Sequence, residues 1–143
     1  MSESASYEND FTFGWVRNLL SGMEEPIFFE KCAEYHYNCN QMDEVIQKYI
    51  GDLAGFLAFL EKEWGWKTRI TEDGTKIIID ENKDFCVCPV VNALKENIPY
   101  SICYCSECFA KKMISKVIGR EVEAKVIRSV IRDGKSCMYE IML

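Results

Sequence analysis

Five cysteines fall in two short stretches, DFCVCPV with Cys86 and Cys88 and SICYCSECF with Cys103, Cys105 and Cys108, in a chain of 143 residues. Any fold of this chain must either gather these thiols or bury them apart. Zinc binds four thiolates at about 2.3 Å in a tetrahedron, so neighbouring sulfurs sit roughly 3.8 Å apart. Cysteines separated by two residues, such as Cys105 and Cys108, reach that spacing from a turn or the first turn of a helix. Cysteines separated by one residue share a face of an extended segment, with Cα atoms about 6.5 Å apart. C-x-C is therefore a looser match, although Pro89 after Cys88 helps to fix a bend. Together the five can supply four ligands with one sulfur to spare.

Four readings of this cluster stay open. Zinc is favoured. An iron–sulfur cluster fits the ligand count but not the spacing of the common ferredoxin runs. A redox or nucleophilic thiol and a set of inert buried thiols are the others. Cys105 and Cys108 open a predicted helix, where backbone N–H groups favour the thiolate that binds metal or attacks a substrate.

A second constellation is Cys32, His36 and Cys39, which share one face of a predicted helix at i, i+4 and i+7. His36 is the chain's single histidine. This face is expected either to close the first site or to form its own. The plainer alternative is lone thiols and a histidine that satisfies a carbonyl. Cys137 reads as a buried, inert thiol.

The compartment bears on the thiols. The stretch MSESASYEND has neither the basic start nor the apolar stretch of a secretory signal, so a cytoplasmic location is expected. Cytosolic thiols stay reduced, which favours metal or redox roles over a disulfide framework. No apolar run approaches a membrane span. The net charge of -6 disfavours nucleic acid as a partner. Residues 1–108 carry 9 basic and 19 acidic groups, whereas residues 109–143 carry 8 basic and 4 acidic groups. The two halves are expected to pack together and neutralise each other; the sharper alternative is an anion-binding surface on the C-terminal part.

Periodicity predicts one domain: a tail over 1–9, helices over 10–64, and a hairpin, cysteine-rich loop, helix and closing hairpin over 65–143. Asp10 is expected to cap the first helix, Pro26 to open the second and Asn40 to cap a short third. Asp52 opens DLAGFLAFLEKEWG, which is apolar nearly all round and should lie at the centre of the core, with Gly55 and Ala58 admitting a neighbouring element. WKTRI and KIIIDE flank a turn at Asp73-Gly74. Residues 82–104 read as loop, interrupted by Pro89 and Pro99. A helix follows over 106–118, stopped by Gly119. REVEAKVIRSVI and KSCMYEIML then alternate as strands, the second with Cys137, Tyr139, Ile141 and Leu143 on one face. The class is α+β, with N-terminal helices on an antiparallel sheet. Aromatic residues crowd the helical half, among them Trp15, Phe28, Phe56, Trp64 and Trp66. Core packing is their plainest role, and lining a ligand pocket is the alternative.

Residues 84–143 resemble the 4-vinyl reductase-like, hydrocarbon-binding domains and the related L-2-amino-thiazoline-4-carboxylic acid hydrolase-like proteins. The shared pattern is Cys88-Pro89, the pair Cys103 and Cys105 opening a helix, Gly119 to Val122, and Ser129-Val130-Ile131 through Gly134, Cys137, Tyr139 and Ile141. Tyr139 replaces a commoner Phe, and Cys108 is an addition. The resemblance implies the fold of haem-NO-binding domains and TRAPP subunits, an apolar ligand held between helices and sheet, and cysteines that bind metal. Haem is not implied, because His36 matches no known haem ligand.

The expected function is a metal-binding, small-molecule-binding or sensing domain with an apolar or aromatic ligand. The alternative is a hydrolase of a thiazoline-like or other C–N bond, acting through the thiolate of Cys103 or Cys105 or through metal-bound water. General-base support for it is thin, with Asp84 and Glu107 the nearest carboxylates in sequence. A homodimeric interaction module is the third expectation.

Overall fold

The computed structural model describes residues 3–143, with side chains from Asp10 onward. Helix α1 runs Glu3–Ser21. It starts well before the expected cap at Asp10, because no Gly or Pro interrupts the chain before Gly14. Of the tail expected over 1–9, residues 3–9 are thus helical, and Met1 and Ser2 lie outside the described residues. Arg17 fastens α1 to the 94–96 segment: its Nη2 donates to the Leu94 carbonyl at 2.6 Å and its Nε to that of Glu96 at 2.8 Å.

Pro26 opens a 3-10 turn over Pro26–Phe29, which leads into α2, Glu30–Cys39. The short α3, Met42–Ile46, begins after Gln41 in the left-handed region (φ 51°), so Gln41 rather than Asn40 stands at its N-cap. Helix α4 spans Leu53–Trp64 and is capped as expected by Asp52, which accepts from the Gly55 N–H at 3.0 Å.

The central position expected for α4 is not what forms. Phe56, Leu57 and Leu60 are buried, but Ala54 and Ala58 face solvent. Nor does Gly55 admit another element. A Cβ there would meet the Asp52 carboxylate at 2.1 Å, so the bare Cα makes room for the helix's own cap.

Strands β1, Lys67–Ile70, and β2, Lys76–Asp80, form the expected hairpin around Gly74, whose φ is 73°. The region 82–104 is less irregular than expected. Pro89 does not break structure; it takes the first position of α5, Pro89–Leu94, where a missing N–H costs nothing. Helix α6 spans Cys103–Ile118 and ends at Gly119 with φ 84°. Met113, Ile114 and Val117 are fully buried, and α6 touches α2, α3, α4 and the sheet. It holds the centre that periodicity assigned to α4.

Strand β3, Glu123–Arg128, stops short of the expected strand, because Ser129 accepts from the Arg132 N–H at 3.1 Å and starts a helical turn, α7, over Val130–Asp133. Strand β4, Met138–Met142, completes an antiparallel sheet of order β1-β2-β4-β3. The register sets Ile79 and Val126 on either side of Tyr139, and Ile77 and Ala124 on either side of Ile141. These side chains form the inner face, against which α6 packs. Alternation at period two thus places the sheet's apolar side on the helices. The architecture is α+β, as the sequence pattern indicated.

Three ion pairs tie the basic C-terminal part to the acidic remainder. Lys112 meets Glu34, Lys116 meets Asp43 at 2.6 Å, and Arg128 approaches Asp80. Lys111 pairs with Glu121 and Glu123.

Candidate functional site

A cavity of about 610 Å³ opens between the start of α6, the inner face of the sheet and the segment that leaves β2. Four of the five clustered cysteines line it. Cys86 and Cys88 come from the irregular backbone before α5, and Cys103 and Cys105 from the first turn of α6. The first pair is held locally by Asn92, whose Nδ2 donates to the carbonyls of Cys86 at 2.9 Å and Cys88 at 3.0 Å. Cys137, just before β4, and His36, from α2, line the same cavity.

The remaining cysteines go elsewhere. Cys108 donates its thiol to the Pro26 carbonyl at 3.5 Å, and its side chain does not line the cavity. Cys32 and Cys39 are exposed on α2. The face drawn through Cys32, His36 and Cys39 is therefore split: His36 turns in and packs on Phe109, ring centroids 4.9 Å apart, while both thiols stay outside.

Burial sets the chemistry of the inward thiols. It pushes Cys86 and Cys103 up to about 11 and Cys105 up to about 12; the neighbouring Cys88 adds to the rise of Cys103 and Cys105, whereas its backbone hydrogen bond lowers Cys86. Cys137 rises to about 11 for the same reason. Cys108 also rises to about 11, again through burial. The thiolate expected at the N-terminus of α6 is thus outweighed by desolvation, and these groups are neutral thiols near pH 7. Among the described residues, no three His, Cys, Asp or Glu side chains stand in an arrangement that would hold a metal ion. Zinc would require the thiols to close on one another from this arrangement.

The other walls are mainly apolar. Trp64 and Trp66 meet edge to face with centroids 4.9 Å apart, and Phe109, Val91, Ile102 and Val126 add to them. Of the aromatics expected to pack the core, Phe29, Tyr37 and Phe56 do so, whereas Phe11, Trp15 and Phe28 are exposed.

One buried polar pair stands in this lining. Glu81 is only 5% exposed and Tyr139 only 3%. The Tyr139 hydroxyl donates to Glu81 Oε2. Burial raises the Glu81 carboxyl, against the lowering effect of that hydrogen bond and of Lys83. The same burial raises the Tyr139 phenol. The sequence pattern places Tyr139 on one face of the last strand and in the resemblance, but gives Glu81 no role. The signal was the strand period: Ile77, Ile79 and Glu81 fall on one face of KIIIDE, which puts a carboxylate on the buried side. Glu81 continues the ladder past β2, its N–H donating to the Cys137 carbonyl at 2.9 Å.

The two carboxylates nearest the cysteines in sequence do not serve the cavity. Glu107 is buried, but its Oε1 accepts from the Val126 N–H at 2.8 Å and so fixes β3 to α6. Asp84 is exposed.

Fold and site together define an α+β domain with a thiol-lined, largely apolar cavity. Comparison with protein-family models, with curated proteins and with solved structures finds no match to this chain. Among the described residues, no helix is long and apolar enough to cross a membrane.

Proposed function

We propose that this chain is a small-molecule-binding domain that holds an apolar or aromatic ligand between α6 and the sheet. The observation that carries the proposal is the cavity. Its volume of about 610 Å³ lies within the roughly 300–1,000 Å³ of ligand pockets, and an apolar wall with a few convergent polar groups is the usual make-up of such sites. The resemblance of residues 84–143 to hydrocarbon-binding domains implies a ligand of the same class.

Calorimetric titration with indole and with p-cresol tests this. Saturable binding to the wild type and its loss in Ala110→Leu, which fills the cavity from α6, are the expected results. Absence of binding to the wild type, or equal binding to a folded Ala110→Leu, contradicts the proposal.

Zinc enters the proposal as a ligand of the thiol wall. The supporting observation is that Cys86, Cys88, Cys103 and Cys105 face one cavity from two segments, one of them in irregular backbone. Metal analysis of protein purified without added metal checks it: stoichiometric zinc is expected, and trace metal with all thiols freely titrating contradicts it. The hydrolase reading has less support. Its candidate nucleophiles are neutral, half-buried thiols, and Glu107 is committed to the Val126 N–H.

A further inference from the structure

Among the described residues, the buried carboxyl of Glu81 forms no ion pair. Tyr139 satisfies Oε2; Oε1 has no hydrogen bond from a protein group among the described residues and is not sealed from solvent, in a side chain that lines the cavity. The nearest base in sequence, Lys83, lines the same cavity and lowers the carboxyl through its charge, but it forms no ion pair with it. Its Nζ donates to the Trp64 carbonyl at 2.9 Å, at the C-terminal end of α4, where a positive charge meets the negative end of the helix dipole. Asn82 adds a bond of 3.2 Å to the Gly65 carbonyl. These two contacts tie the 81–83 segment to the 64–66 turn, and Glu81, Trp64 and Trp66 all line the cavity. A buried acid normally has a charged or hydrogen-bonding partner, and indole faces attract cations.

We propose that the cavity selects ligands bearing a protonated or N–H-rich nitrogen on an apolar body. The nitrogen sits at Glu81 Oε1 beside the indoles, and the body occupies the space toward Phe109 and Val126. This rests on the small-molecule-binding reading above and names its ligand class. Tyr139 is a positioning residue: it holds one carboxylate oxygen and leaves the other directed to the ligand.

The test is calorimetric titration of the full chain with 2-phenylethylamine, 2-phenylethanol and 3-phenylpropionate, which share a body and differ in the charge of the head. The amine is expected to bind about tenfold or more tightly than the alcohol, the scale of one charge-assisted hydrogen bond, and the carboxylate most weakly. Glu81→Gln should erase the preference for the amine while retaining the alcohol. Alcohol or carboxylate binding as tightly as the amine in the wild type overturns this inference yet leaves the cavity reading intact. An amine preference that persists in Glu81→Gln overturns it too. No binding of any of the three overturns both. The wild-type comparison stands even if the variant does not fold.

Discussion

Tyr139, central in the sheet on β4, donates its hydroxyl to Glu81, one residue past the end of β2. The bond joins two side chains that strand alternation turns inward, and it gives the apolar cavity a polar point. Tyr139→Phe leaves a buried carboxyl oxygen without its donor. It should cost about 1–3 kcal/mol, measured by urea unfolding. A loss below a few tenths would show that the oxygen finds another partner.

Burial holds the Glu81 carboxyl above its ordinary value of 4.5. Between that value and the raised one, the folded chain keeps a proton that the unfolded chain has released. Glu81's contribution to stability therefore falls as pH rises through this interval. Glu81→Gln removes the slope, so its stability relative to wild type should improve from pH 4 to pH 8 in thermal melts. A relative stability that declines over this range would contradict the assignment.

Asp52 and Gly55 form a second coupled pair. Asp52→Ala should cost about 0.5–2 kcal/mol through the lost cap. Gly55→Ala should also destabilise, because its Cβ expels the carboxylate, although a helix ordinarily gains from this exchange. In an Asp52→Ala background the sign should reverse, and Gly55→Ala should stabilise. A double-mutant cycle in urea reads this directly, and simple additivity would contradict it.

Thiol reactivity separates the cysteines. Cys32 and Cys39 are exposed and should react rapidly with a disulfide reagent at pH 7.5. Cys86, Cys103, Cys105 and Cys137, neutral and partly or wholly buried, should react slowly until the chain unfolds. Peptide mapping after brief alkylation identifies the order. A fast Cys103 or Cys105 would instead favour the hydrolase reading.

Met113, on α6, is fully buried among core residues from helices and sheet. Met113→Ala should cost about 2–5 kcal/mol, which chemical denaturation would show. Leu57→Ala should cost less, since Leu57 keeps 7% exposure on the half-buried α4. The reverse order would return the centre of the core to α4.

These elements show what was legible in the residues. The hairpin at Asp73-Gly74, the Asp52 cap and the inward Ile77, Tyr139 and Ile141 follow from local turn chemistry and period two. Clustering in sequence singled out the five thiols without deciding between a metal site and inert burial; that Cys86, Cys88, Cys103 and Cys105 line one cavity while Cys108 does not was not separable by spacing alone. Placing α6 rather than α4 at the centre was beyond periodicity, because the apolar Ala54 and Ala58 look the same whether buried or exposed. The Ser129 turn was masked by an alternating pattern that continues through Val130. Glu81 was hidden by habit: a charged residue at a strand end is ordinarily solvated, and only tertiary packing closes it in.

The most direct test uses the chain's three tryptophans. Trp64 and Trp66 line the cavity, whereas Trp15 is 58% exposed on α1. Indole N–H resonances in a heteronuclear NMR titration with p-cresol should shift for Trp64 and Trp66 and stay fixed for Trp15. Shifts confined to Trp15, or none at saturating ligand, would contradict a ligand-binding cavity between α6 and the sheet.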